Sequence, residues 1–182
     1  MGRSTPVEPP RTPLTDGTVT VRLRRESDMD AIAAASHDAE TRRWLDDGPM
    51  DAEARRTGVA RVEAAWRSGR AAPSVIADAV TDEPVGIVNL QFRADDVASV
   101  AYSVFPAHRG RGIAPRAVRL VTAWAFRDLA LTRLLLEADE ANAASVRVAE
   151  KCGFRRVGTR TSPAPDGTTP HPTALFTRTT PN

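Results

Sequence analysis

Apolar and polar positions alternate with a period of two over Thr18–Arg24, the period of a strand with one buried face. The pattern changes at Ser27. Ile32, Ala35 and Ala39 recur at helical spacing, Ser27 is a candidate N-cap, and Asp28 and Asp30 fall in the first turn, where the helix dipole favours carboxylates. This predicts a helix running to about Asp47-Gly48-Pro49. Asp51 opens a second helix, with Val59, Val62 and Trp66 on one stripe and Ser68-Gly69 at its end. Pro73–Val80 and Val85–Phe92 read as strands around the turn Thr81-Asp82-Glu83-Pro84, and Val97–Phe105 as a third, stopped by Pro106. A loop over Ala107–Gly112 leads into a helix reaching about Leu129, striped by Val118, Val121, Ala125 and Leu129. Thr132–Ala138 is a leucine-rich strand, expected to be buried on both faces. Asn142 caps a short helix that ends at Gly153. Phe154–Thr161 and Thr173–Arg178 are strands on either side of a Pro-rich loop. Residues 1–16 carry four prolines and predict a disordered or loosely attached arm, ahead of a single domain over 17–180. The order of elements predicts a mixed α/β sheet with strand–helix–strand units in its C-terminal half.

Composition narrows the function classes. The chain has 182 residues, 41% hydrophobic and 26% charged, which suits one soluble globular domain, with the cytoplasm as its default setting. No apolar run approaches the ~20 residues that cross a bilayer, and the N-terminus does not read as a signal peptide. Cys152 is the only cysteine, and His37, His108 and His171 show no ligand spacing, so no metal site is expected. A net charge of +2, without a basic stripe or interleaved aromatics, argues against a nucleic-acid-binding domain. The positive charge is local instead. His108, Arg109, Arg111, Arg116 and Arg119 crowd around one loop, which asks for an anionic ligand at one site.

That loop carries the chemistry. Between Ser103 and Ala114 a strand ends and a helix begins, with Gly110 and Gly112 between. Free N–H groups at a helix N-terminus bind phosphate, and glycine lets the backbone approach it. Arg109 and Arg111 are candidate phosphate partners. A P-loop would need a following Lys-Ser/Thr, and a dinucleotide loop would need glycine at Pro115, so neither pattern applies. The alternative is a plain glycine turn with solvated arginines.

The stretch Arg109-x-x-Gly112-x-Ala114 resembles the Gln/Arg-x-x-Gly-x-Gly/Ala signature of the GNAT N-acetyltransferases. The longer run Phe105-Pro106-x-x-Arg109-Gly110-Arg111-Gly112-x-Ala114 is similar to the RimJ/RimL type, as is the downstream run Asn142-x-x-Ser145-x-x-x-x-Glu150-Lys151-x-Gly153-Phe154. The resemblance spans about Thr18 to Thr161. It implies an acyl-CoA N-acyltransferase fold of about four helices, whose strands Val97–Phe105 and Thr132–Ala138 splay to admit the pantetheine of acetyl-CoA as cosubstrate. Backbone groups of Val104 and Phe105 would bond that arm. N–H groups over Arg109, Gly110, Arg111, Gly112, Ile113 and Ala114 would hold the pyrophosphate, and Asn142 would contact the pantetheine or acetyl region. The Val104 N–H would stabilise the developing oxyanion, and Ser145 would sit near the thiol as the acid. The implied acceptor is a primary amine, on a peptide N-terminus or a small molecule, and this branch often pairs through its sheet.

Two positions depart from the pattern. Ser99 stands where many relatives carry a glutamate, leaving water, Asp38, Glu40 or Glu137 as the base. Ala149 stands where many carry a tyrosine acid. A non-catalytic acyl-CoA sensor is therefore the competing reading. Tyr102 reads as a packed aromatic, Trp44, Trp66 and Trp124 as core or pocket wall, Cys152 as a small buried hydrophobe, and Asp46-Asp47 and Asp95-Asp96 as turn residues.

Overall fold

The computed structural model describes residues 5–45, 48–163 and 169–180. Eight strands form one sheet: β1 Leu14–Thr15, β2 Val19–Arg22, β3 Ala71–Asp78, β4 Pro84–Phe92, β5 Val97–Val104, β6 Arg133–Asp139, β7 Arg155–Ser162 and β8 His171–Thr179. The helices are α1 Met29–Ser36, α2 Ala39–Trp44, α3 Ala52–Arg67, α4 Ile113–Asp128 and α5 Ala143–Lys151. Strand order is β1-β2-β3-β4-β5-β6-β8-β7, antiparallel throughout except for the parallel join of β5 to β6. That join is made by the crossover helix α4, which a parallel connection requires.

The core follows from strand alternation. Val88, Leu90, Ala98, Val100, Leu134 and Leu136 turn to one face and pack with Val118, Val121 and Trp124 of α4, and Trp66 of α3 meets Trp124 at 5.9 Å between ring centroids. On the other face Val75, Ala77 and Phe105 pack with Met29, Ile32 and Ala35 of α1. The strand β6 is buried on one face only. Leu134, Leu136 and Ala138 are buried, whereas Arg133 and Glu137 are exposed, because no helix covers the second face beyond β5. The expectation of burial on both faces is corrected on this point.

Two further expectations change. The single first helix is broken. Asp38 takes extended backbone (φ −65°, ψ 132°) and its carboxylate accepts the Thr41 N–H, so α2 begins afresh. Ser27 does not cap α1; it lies within a 3₁₀ turn over Glu26–Asp28, in which Asp28 accepts the Arg25 N–H. The expected helix end at Asp47 and the Asp46-Asp47 pair lie outside the described residues. The N-terminal segment, expected to be a loose arm, is docked from Val7 onward. Val7 is buried and its N–H donates to Trp66 O at 3.1 Å, Leu14–Thr15 pairs with β2, and Asp16 binds Arg116 at 2.7 Å.

A buried ion pair anchors this end of the sheet. Arg22 makes two bonds to Asp28, at 2.8 and 2.9 Å, and a third to Asp82 at 2.7 Å.

Candidate active site

The pairing of β5 with β6 stops early. Val97, Ala98 and Ser99 pair with Arg133, Leu134 and Leu135, and beyond them the strands part. Val100–Val104 and Leu136–Asp139 are the walls of the resulting cleft. On the wall of β5 the backbone polarity follows from antiparallel alternation. The Phe105 N–H donates to Val85 O at 2.9 Å, on the β4 side. The N–H and C=O of Val104 and Tyr102 therefore point away from β4, into the cleft. Phe105 is committed elsewhere. Its N–H is taken by Val85, its C=O accepts from His108 N at 2.9 Å, and its ring packs against α1.

The cleft opens onto the start of α4. Gly110 and Gly112 both take left-handed backbone, with φ of 75° and 72°. Gly112 is the N-cap and no side chain caps the helix. Among the described residues, the N–H groups of Gly110, Arg111, Gly112, Ile113 and Ala114 have no protein acceptor. Five N–H donors without acceptors at the positive end of a 16-residue helix are able to bind an anion. The Arg109 N–H is directed elsewhere, to Pro106 O at 3.4 Å.

The two arginines of the loop diverge. Arg111 is exposed and has no ion-pair partner among the described residues. Arg109 donates to Asp38 at 2.7 Å, to Thr41 Oγ1 at 2.9 Å and to Glu40 at 2.9 Å. Its guanidinium is thus held by α2. The Arg109 guanidinium and the Thr41 N–H hold the Asp38 carboxyl down at about 2.

On the far wall, Asn142 caps α5 through a 3.1 Å bond from Ser145 N to its Oδ1, leaving its NH2 group free of that bond. The Ser145 hydroxyl makes no bond to its own helix. The Tyr102 hydroxyl is buried and has no hydrogen bond of full geometry, and burial, only partly offset by the nearby Ser145 hydroxyl, pushes it up to about 12. Ala149 is fully buried in the core, so its position presents no polar group. Cys152 is buried, its thiol pushed up by burial, with Sγ 3.4 Å from Pro115 O.

Ser99, Glu137, Asp139 and His171 complete the polar groups considered around the cleft. Ser99 accepts from Arg93 Nε at 2.9 Å. Glu137 is ion-paired with Arg160. His171 Nδ1 lies 2.7 Å from Asp139 Oδ2 without aligned hydrogen-bond geometry, and its Nε2 lies 3.2 Å from Pro163 O. Each carboxylate considered as a base from the sequence is held by an arginine.

The acetyltransferase (GNAT) domain family matches residues 18–155. The chain belongs to the GNAT acetyltransferase family. A probable N-acetyltransferase, YjcK of Bacillus subtilis, is 43% identical over 61 residues, a match covering 34% of this chain and 34% of that protein. Among solved structures, the ribosomal-protein-S5-alanine acetyltransferase of Vibrio fischeri superposes with a TM-score of 0.78 at 19% identity, over 92% of this chain and 96% of that one. The spermidine N-acetyltransferase of Vibrio cholerae, solved with CoA and spermine, superposes with a TM-score of 0.77 at 16% identity, over 90% and 96%. These GNAT structures share the fold with this chain. The glycine turn before α4 was legible in the sequence. The Arg109–Asp38 clamp and the Asp139–His171 contact were not, because each joins residues remote in sequence.

Proposed function

We propose that this protein transfers an acetyl group from acetyl-CoA to a primary amine, by direct attack with both substrates bound. The observation that carries this reading is the row of open N–H donors from Gly110 to Ala114, set beside a cleft whose β5 wall presents unpaired backbone. The donors fit a pyrophosphate and the cleft edge fits the amides of a pantetheine arm, added as a short strand. Acetyl-CoA supplies the acetyl group activated as a thioester. The chain's part is mostly positioning. Arg111 is free to pair with phosphate oxygen. The cleft-facing N–H of Val104 is placed to donate to the developing oxyanion. Asn142 offers its NH2 group, and Ser145 a hydroxyl for the departing sulfur. With Asp38, Glu40 and Glu137 ion-paired and Ser99 bound by Arg93, the acceptor nitrogen gives up its proton to water.

The same ion pairs bear on the acceptor. Arg109 pairs with Asp38 and Glu40, and Arg160 with Glu137, so these three carboxylates are not free for a polyamine to engage. A peptide N-terminus or a small monoamine fits better. The lone, buried, unpaired Cys152 suits a reducing cytoplasmic setting.

Thiol release from acetyl-CoA tests this against a panel of peptides with free N-termini, monoamines and polyamines. Release that depends on the acceptor and falls in Ser145→Ala is the expected result. Tight binding of acetyl-CoA with no release by any amine would instead favour a non-catalytic acyl-CoA sensor, a reading suggested by Ser99 in place of a carboxylate.

A further inference from the structure

Small side chains open a second space in the core, away from the cleft. On the face packed by α3 and α4, alternation along β3 places Ala72, Ser74 and Ile76. Ile76 pairs with Val21 and fills its place in the core. Ser74 and Ala72 stand opposite Val88 and Leu90 of β4 and are too small to do the same. Trp66 of α3 and Trp124 of α4 meet above this stretch with their rings tilted by 49°, a wedge rather than a stacked pair. A cavity of about 220 Å³ remains between the rings and the strands. No residue of β5 or β6 lines it, so it is separate from the cleft. Protein interiors rarely keep a void larger than a water molecule, and an apolar cavity of ~150 Å³ already takes up benzene.

The N-terminal segment covers the mouth. The Val7 N–H donates to Trp66 O and Leu14 pairs with Val21, so residues 8–13 span the opening between two anchors. Pro9, Pro10 and Pro13 line the rim from this span. Proline has no N–H, and among the described residues no backbone-to-backbone bond ties the span down between its anchors. Leu23, 45% exposed, stands at the same rim. The polar side chains at the cavity are mostly committed. Arg22 is bound by Asp28 and Asp82, and Arg25 by Asp82, so a charged ligand finds no free counter-charge. Trp66 Nε1–H donates to Pro73 O at 3.0 Å. The buried Ser74 hydroxyl has only a 3.5 Å contact with Ala72 O, at the limit of a hydrogen bond.

We propose that this cavity binds a small, neutral, planar aromatic molecule with one hydrogen-bonding group, the size of a substituted benzene or an indole. The two tryptophans offer edge and face to its ring, and Ser74 accepts from its N–H or O–H. The site is independent of the acetyltransferase reading, because its ligand lies beside the acetyl-CoA cleft and not within it.

The probe is indole, titrated into the full chain by calorimetry. Indene, which has the shape of indole without the N–H, is the comparison. Indole should bind one per chain with a Kd of about 1 mM or tighter and raise the melting temperature. Saturating coenzyme A should change that Kd by less than about twofold, as expected of separate sites. Ala72→Leu fills the space, so it should weaken indole at least ~10-fold and melt at or above the wild-type temperature. Ser74→Ala tests the same site without added bulk, and should weaken indole about threefold to tenfold but indene less than about twofold. No binding by wild type, equal binding by Ala72→Leu, or displacement by coenzyme A would overturn the site. Equal affinities of wild type and Ser74→Ala for indole would do so too. Indole binding without turnover of any amine would sustain the cavity and sink only the catalytic reading.

Discussion

The Arg109 guanidinium donates to Asp38 at 2.7 Å and ties the loop that opens α4 to the first turn of α2. The arginine of the family signature is therefore held by α2, and under the proposed function Arg111 is the one that pairs with phosphate. Arg111→Ala is expected to weaken acetyl-CoA binding by about threefold to tenfold, the range of a partly exposed charge-assisted contact. Arg109→Ala should leave that affinity within about twofold and instead raise the acceptor KM. Calorimetric Kd values for acetyl-CoA, beside acceptor KM, separate the two. A larger loss of affinity in Arg109→Ala would mean that the guanidinium swings to phosphate when the ligand binds.

The same contact gives α2 a pH limit. Asp38 is held at about 2, from an ordinary 3.8, by Arg109 and by the Thr41 N–H. A carboxylate depressed in the folded state contributes fully above its unfolded pKa, and that contribution fades as pH falls through the folded value. The anchoring of α2 should thus be constant at neutral pH and weaken between about pH 4 and about pH 2. Hydrogen exchange of the α2 amides across that range would show it, and Asp38→Asn should abolish the dependence. Unchanged exchange down to pH 2 in wild type would refute the anchoring role.

Those two outcomes turn on contacts that the sequence did not display, and the reason is physical. Gly110 and Gly112 were legible because a strand-to-helix turn with positive φ leaves its mark in residue type. Asn142 and Gly153 were legible as helix ends for the same local reason. Asp38 was not. In an alanine-rich segment its carboxylate can sit on a helix face or cap a new helix, and only the distant Arg109 decides between them. Val7 and Leu14 lay in a proline-rich stretch with too few apolar residues to predict burial, yet they dock because Trp66 and β2 offer a surface and an edge. The half-exposed β6 was misread because its leucines resemble a fully buried strand, and only the absence of a covering helix shows otherwise.

Asp28 is the next test. It is 1% exposed and bonded twice by Arg22 and once by the Arg25 N–H. Burial raises its pKa, but these bonds outweigh burial and the net shift is downward. Removing one partner of a buried pair strands the other charge, so Asp28→Ala should cost about 3–5 kcal/mol in urea unfolding at pH 7. Because the folded pKa is depressed, wild type should lose this contribution as pH falls below the ordinary carboxylate range, and the gap to the variant should narrow there. A gap that is small at neutral pH, or that widens in acid, would contradict the assignment.

Three glycine-to-alanine changes separate backbone conformation from space. At Gly112 a Cβ meets nothing within 4 Å, so the whole cost comes from φ of 72°. A left-handed alanine costs about 1–2 kcal/mol, and any relaxation of that residue turns N–H donors away from the cradle. Gly112→Ala should therefore lower stability modestly and weaken acetyl-CoA about tenfold. At Gly86 the added Cβ would lie 2.6 Å from Ser103 O and 3.2 Å from Val104 Cα, both backbone atoms of β5. Backbone cannot step aside as a side chain can, so Gly86→Ala should cost about 1–3 kcal/mol and displace Val104 from the cleft wall, lowering kcat more than affinity. At Gly58, inside α3, the Cβ would meet only the flexible end of Met29, and alanine is about 1 kcal/mol better than glycine within a helix. Gly58→Ala should be neutral or stabilising with full activity. Melting curves and acetyl-CoA titrations on the three variants check this ordering. Loss of activity in Gly58→Ala, or its retention in Gly86→Ala, would mean that the cleft is not held by the β4–β5 contact.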